Sequence, residues 1–269
     1  MIPDDDNRLA ARFVLLLAVL LLVGCTGKMP RTTSLEQSEK EKVRTGFTEF
    51  SKRVCPLSLD ADITLEMQLL GKTEKSAGIL QYEGPSSFRY AMVDPLGRSL
   101  FIMVTDGYTF TMVYNREAKA VTGSTVSRFW QDYVPLGVST DDMLLLLAGR
   151  LPANLRLQDI RGDQESAGFW LYGVGAEGIR HEILFDRHAS RVLRHILRDG
   201  RKTVLFDVSY DQYEAEDPLC PLPLALRVEG KTITGAIVLR FDRLFSGPKI
   251  SAQTFRITPP GHFLVHEVE

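Results

Sequence analysis

Long hydrophobic runs are nearly absent from this 269-residue chain: the longest, Phe13 to Val23, is too short to span a bilayer comfortably. Signatures of catalysis are absent as well. The five histidines, His181, His188, His195, His262 and His266, contain no HExxH pair and have no cysteines at metal-ligand spacing beside them. No GxSxG elbow occurs, and no Ser/His/Asp set can be assembled. Gly173-Val174-Gly175-Ala176-Glu177-Gly178 has the spacing of a dinucleotide fingerprint. A β pattern follows it, where a helix N-terminus would have to receive the pyrophosphate, so it reads as a hairpin turn. No excess charge of either sign is present, with 32 Lys+Arg against 34 Asp+Glu, which argues against nucleic acid as the main partner. The expectation is a binding protein rather than an enzyme, with no catalytic residues, no metal and no cofactor.

What is present begins at the N-terminus. Arg8 and Arg12 precede the apolar run, and Gly24 closes it, the pattern of a secretory signal. Cys25 directly after Leu22-Val23-Gly24 resembles the bacterial lipobox, in which diacylglycerol is attached to the cysteine sulfur and cleavage follows just before it. Residues 1–24 are therefore expected to be a lipoprotein signal peptide, with Cys25 the lipidated residue. Thr26 stands where an aspartate would resemble an inner-membrane retention signal, so the periplasmic face of the outer membrane is the expected home. Each buried acyl methylene contributes about 0.8 kcal/mol, so two or three chains on one cysteine form a durable anchor. Thr26 to Ser34 is polar and aperiodic, giving a tether over 25–34 and a single folded domain over 35–269.

With Arg8, Arg12 and the acidic Asp4, Asp5 and Asp6 removed, the mature chain holds 30 Lys+Arg and 31 Asp+Glu. Cys55 and Cys220 remain, an even number in an oxidising compartment. A disulfide between them is expected, with two separately buried thiols as the alternative. Closing so long a loop would stabilise by about 4–5 kcal/mol in the chain-entropy model.

Ser34 with Gln37 matches a capping box, and Val43, Phe47, Phe50 and Val54 then fall at helical spacing, up to Pro56. From Asp60 the period changes to two. Ile63, Leu65, Met67 and Leu69 alternate with polar residues, as do Tyr108, Phe110, Met112 and Tyr114, and six strands from here to Gly123 read as an antiparallel meander. Val126, Phe129, Trp130 and Tyr133 suggest one short helix, and Asp141 to Gly149 a second, whose consecutive apolar residues Met143 to Leu147 must be wrapped or inserted. Strands resume from Leu155 to Phe245, with a Pro-rich link Asp217 to Pro223 at an expected sheet edge and a last short strand over Thr254 to Ile257. Arg187, Arg191, Arg194, Arg198, Arg201 and Lys202 give one hairpin a basic character, read either as a solvated outer face or as a contact for lipid phosphates or an acidic carrier. The fold class expected is mainly β with inserted helices: a strongly curved antiparallel half-barrel enclosing short α-helices.

Phe88 to Val104 (FRYAMVDPLGRSLFIMV) is the stretch around which the rest is organised. Two apolar strands flank Asp94-Pro95-Leu96-Gly97, which places a large apolar side chain, Leu96, at the tip of a tight turn. Leu96 either folds back onto the sheet or forms an apolar tip for a membrane or partner. This motif, with Val134-Pro135-Leu136-Gly137 and Met143 to Pro152, resembles the LolB family of outer-membrane lipoprotein receptors, which carries an exposed leucine on that loop. The matched segments cover about a quarter of the chain, which departs from the family in its greater length, its additional C-terminal strands and its cysteine pair.

The resemblance implies a LolA/LolB-like half-barrel, monomeric, that takes acyl chains of lipoproteins from a periplasmic LolA-like carrier and inserts them into the outer membrane. Leu96 would be the membrane-insertion loop. The apolar cavity would be lined by Met67, Leu69, Tyr90, Met92, Phe110, Met112, Tyr114, Phe129, Trp130, Met143, Leu144 and Leu147. Flexible methionines suit a surface that accepts changing apolar shapes. The alternatives are a half-barrel for another lipid or hydrophobic ligand, and a structural envelope lipoprotein whose cup is filled by its own helices.

Overall fold

The computed structural model describes residues 30–53, 58–69, 71–131, 145–151, 155–175, 178–214, 220–231, 233–245 and 249–269. Cys25, Val54, Cys55, Pro56, Tyr133, Val134 to Gly137, Met143, Leu144 and Pro152 lie outside the described residues. A first meander comprises β2 (Ser58–Leu69), β3 (Lys72–Glu83), β4 (Ser87–Val93), β5 (Ser99–Thr105), β6 (Thr109–Tyr114) and β7 (Lys119–Ser124). The second comprises β8 (Arg156–Asp163), β9 (Phe169–Val174), β10 (Arg180–Asp186), β11 (Arg191–Arg198), β12 (Val204–Tyr213), β13 (Pro223–Gly230) and β14 (Ile233–Leu244). Pairing of β14 with β2 joins them into one sheet. The two-residue β1 (Thr32–Thr33) lies on the β8 edge, and β15 (Leu264–Val268) lies on the β7 edge, where it makes the one parallel pair among the described strands.

Helix α1 (Gln37–Ser51) shows why this sheet cannot be flat. Its stripe, Val43, Phe47 and Phe50, is buried in a single core with Ala61, Ile63, Leu80 and Phe88 of the first meander and with Ile160, Leu171, Ile183, Phe185, Val208, Leu226 and Phe241 of the second. Phe185 meets Phe47 edge-on at 5.4 Å and Phe50 at 5.3 Å. Strands lie about 4.8 Å apart, whereas a helix is about 10–12 Å across. One helix can touch strands so far apart in the order only if the sheet wraps around it, and each large side chain buried there contributes about 1.5–3 kcal/mol.

The two faces of the first meander follow from register. Ile63, Gly78, Met92, Phe101 and Tyr114 lie in a row on the inner face, and Ala61, Leu80, Tyr90, Met103 and Met112 form the next row. The outer face carries a second apolar set, Ala91, Ile102, Val104, Val113 and Ala120, covered by Ile257 and Phe263 of the C-terminal segment.

Several sequence expectations are corrected. The helix starts at Gln37 behind Glu36, without a side-chain cap; Ser34 makes no capping box, because the chain before it is still extended through β1, inside the segment expected to be tether. Helix α2 is described over Arg128–Gln131; Val126 lies before it, exposed in the preceding turn, and Tyr133 lies outside the described residues. Of the second expected helix, residues 145–147 are helical and 141–144 lie outside the described residues. Thr254 to Ile257 is not a strand: Ala252–Phe255 forms a 3-10 turn capped by Ser251. The Pro-rich link joins β12 to β13, both internal to the sheet rather than at an edge.

Candidate functional site

The turn between β4 and β5 is held by its own first residue. The Asp94 carboxylate accepts from the Leu96 and Arg98 amides, both at 2.9 Å, and from Arg98 Nε at 2.7 Å. Gly97, at φ +76°, supplies the left-handed step that lets its amide donate to the Asp94 carbonyl. The Arg98 amide, then its guanidinium, hold the Asp94 carboxyl below its usual range. Leu96 does not fold back: it is 78% exposed on this braced tip. Alternation of hairpins puts Leu96 on the same rim as Leu69, at the end of β2, and Leu264, at the start of β15, both also exposed. Tyr108 and Val126 are exposed at the opposite rim.

The residues expected to line a cavity divide into two groups. Phe110, Met112 and Trp130 are almost fully buried against one another, with the Phe110 ring stacked at 4.8 Å on Trp130 and at 5.8 Å on Phe129. In this arrangement α2 covers that end of the inner face. Met67, Tyr90, Met92 and Tyr114 are only partly buried, and Leu69 is 37% exposed. Leu147 packs partly buried on the main core, beside Leu151. Its neighbour Leu146 lies on Ile179 and Leu197, and the Leu146 carbonyl accepts from the buried Tyr210 hydroxyl at 2.8 Å. The two inserted pieces of helix therefore sit on opposite halves of the cup, α2 on β6 and residues 145–151 on the second meander.

Sequence reading marked neither Arg150 nor the contacts His181–His195 and Lys40–Asp159. Arg150 is buried with its guanidinium 4.8 Å over the Phe50 ring and Nη2 3.4 Å from Cys220 Sγ. Cys220 is disulfide-bonded, and its partner is not among the described residues. His181 and His195 face the core from adjacent strands, Nδ1 to Nε2 at 2.9 Å. Burial, and secondarily His181, hold the His195 imidazole well below its ordinary pKa. Only cross-strand register brings the two rings together, so no sequence motif marks them. A polar cleft of about 310 Å³ at the sheet edge is lined by Ser34, Lys40, Asp159 and Arg161, and Lys40 holds the Asp159 carboxyl down to about 2.

Three of the six basic residues of the hairpin are paired on the outer face. Arg194 bonds Asp207 at 2.7 Å, Arg198 bonds Glu182 at 2.7 Å, and Arg191 lies 3.5 Å from Asp186. The line continues through Arg227, Gln68, Glu66 and Lys75. This favours the reading of a solvated, internally paired face over a phosphate contact.

No protein-family model and no curated protein matches the sequence. Solved structures do resemble the fold. A putative outer membrane lipoprotein-sorting protein domain from Vibrio parahaemolyticus aligns over 82% of this chain and 97% of its own, with TM-score 0.55 and 8% identity. A DUF1329 family protein from Desulfovibrio piger aligns over 80% and 97%, with TM-score 0.56 and 12% identity. A LolA superfamily protein from Nitrosomonas europaea aligns over 84% and 99%, with TM-score 0.53 and 12% identity. At these identities the likeness shows a shared fold: an open, curved, mainly β half-barrel holding helices. It is the LolA-type fold in general, without distinguishing the LolB branch.

Proposed function

We propose that this chain is a lipid-anchored protein at the periplasmic face of the outer membrane that holds the acyl chains of lipoproteins in its cup and passes them into the bilayer. The observation that carries this reading is the partly covered inner wall of β2 to β6, where Met67, Leu69, Tyr90, Met92 and Tyr114 keep apolar surface unburied inside a curved sheet. The fold of the lipoprotein-sorting and LolA superfamily structures supports it. Transfer needs no covalent step, only a difference in burial between cup and membrane. In this reading Cys25 carries the lipid, the Cys55–Cys220 disulfide ties the helix exit to the β12–β13 link, the inserted helical segments form the lid, and a soluble carrier of similar fold hands over the cargo to the monomer. Leu96, braced by Asp94 and Arg98, is the residue that enters the membrane.

The stacking of Phe110 with Phe129 and Trp130 favours a second reading, a structural envelope lipoprotein whose cup is filled by its own helices. Mass spectrometry of lipids co-purifying with the mature protein separates the two. Bound acyl chains support the carrier; empty protein, with lipoprotein insertion unaltered by its removal, supports the structural role.

A further inference from the structure

Two oxygen atoms in the wall of the cup, the Tyr90 hydroxyl and Ser76 Oγ, are buried beside one another and complete no hydrogen bond of normal geometry among the described residues. Tyr90 stands opposite Leu80 on β3, and its ring lies across Gly78, where an added Cβ would come within 2.9 Å of Tyr90 Cε2 and of the Ala91 carbonyl. Ser76 is the next inner-face residue beyond Gly78, so the missing side chain at 78 lets the phenol reach along β3 to the serine. Burial raises the Tyr90 phenol above its ordinary pKa and the neighbouring Ser76 hydroxyl opposes that rise, which keeps the phenol a donor at neutral pH. The surroundings are apolar: Ile63, Leu65, Leu80, Met92 and Phe101, the last with its ring 6.3 Å from that of Tyr90.

Each hydroxyl carries one proton to donate. If one donates to the other, the second proton still requires an acceptor, so the pair is incomplete without an incoming oxygen. That oxygen must arrive with hydrocarbon, because hydrocarbon is what the surrounding wall accommodates. It must also be uncharged, since none of these neighbours is a cation and a buried carboxylate or phosphate would be left unpaired. The ester carbonyl of an acyl glyceride meets both conditions. We propose that Tyr90 and Ser76 bind this carbonyl, so that the cup selects acyl esters over bare hydrocarbon chains; the inference rests on the reading of the cup as an acyl-chain holder. Phospholipids and the diacylglyceryl group of lipoproteins share this chemistry.

The test compares binding of a fluorescent diacylglycerol and its dialkyl ether analogue, which keeps the chains and lacks the carbonyls, to the full mature protein. The wild type is expected to prefer the ester by about five-fold or more, and Tyr90→Phe and Ser76→Ala to bring the ratio of ester to ether binding toward one. Thermal melting of both variants confirms that they fold. Equal binding of ester and ether by the wild type, or an unaltered preference in both variants, overturns the hydroxyl assignment and leaves the cup as a chain holder. Binding of neither probe overturns the holder reading, and the assignment with it. Parallel arms with a diacylated cysteinyl lipopeptide and with phosphatidylglycerol show which source is preferred, and a hydroxyl-dependent gain with either supports the proposal.

Discussion

The two meanders make opposite use of the same sheet. In the second, the inner face is closed: Ile160, Leu171, Ile183, Phe185 and His195 have no measurable exposure beneath α1 and the 145–151 segment, and the outer face is laced by ion pairs. In the first, β4 keeps Tyr90 and Met92 half-buried on the inside, while the outside of β4 to β7 carries an apolar set strapped by the C-terminal segment through Ile257 and Phe263. Putting the strap outside leaves the inner wall of the first meander free of it. The lesson is that one half serves as foundation and the other as the wall that can receive a ligand.

The sharpest way to break this contrast is to cut into the foundation. Phe50→Ala, under the Arg150 guanidinium and against Phe185, is expected to cost about 3–5 kcal/mol in urea unfolding, while Met92→Ala, half-buried in the opposite wall, costs less than about 2 kcal/mol. Equal losses would remove the distinction between the halves. Next comes the ion-pair face. Glu182→Gln leaves the Arg198 guanidinium facing a neutral partner where both side chains are mostly covered, for about 1.5–3 kcal/mol, whereas Lys75→Ala, removing the exposed end of a pair with the more covered Glu66, is expected to cost less.

Acidity sharpens the comparison in a different way. Native His195 stays neutral where an unfolded histidine takes up a proton near pH 6.5, so below that pH the unfolded state binds more protons and stability falls; above it the contribution is complete. Asp159 acts in the same direction in a lower window, its contribution present above about pH 4 and lost as pH falls toward 2. Denaturation midpoints from pH 8 to 5 are expected to decline in the wild type and to flatten in His195→Leu. The smallest effect on stability belongs to the rim: Leu96→Glu leaves the unfolding free energy within about 0.5 kcal/mol, but lowers association of the mature domain with lipid vesicles in a sedimentation assay. Unchanged association would remove Leu96 from the membrane role.

Much of this architecture was legible before any coordinates. Alternation over Ile63 to Leu69 and over Phe110 to Tyr114 marked strands with one dry face, and the Val43, Phe47, Phe50 stripe marked a helix lying on something. The turn at Asp94 to Gly97 was read, but its lock was not, although an aspartate heading a turn commonly accepts from the following amides. The C-terminal strap was not legible, because an irregular segment has no period and its apolar residues, Ile257 and Phe263, are spaced by the contour of the sheet they cover. Gly78, Ser76 and Tyr90 likewise carry no motif; they meet because β3 and β4 pair in one particular register.

The chain's own pattern determined the strands of the two meanders and which way their side chains face, because period-two alternation is a local property of the backbone, but it marked neither of the edge strands β1 and β15. It also determined that an apolar leucine would head the β4–β5 turn. Which strands are neighbours was settled by tertiary structure: β14 returns to β2, pairing Ala236 with Gln68 and Leu244 with Ala61, and that junction joins the two meanders into the sheet that wraps α1. Whether a given apolar face is filled, strapped or left half-open depends on which distant segment arrives to cover it, and burial of this kind is non-directional, so it writes no signature into the sequence of the face itself.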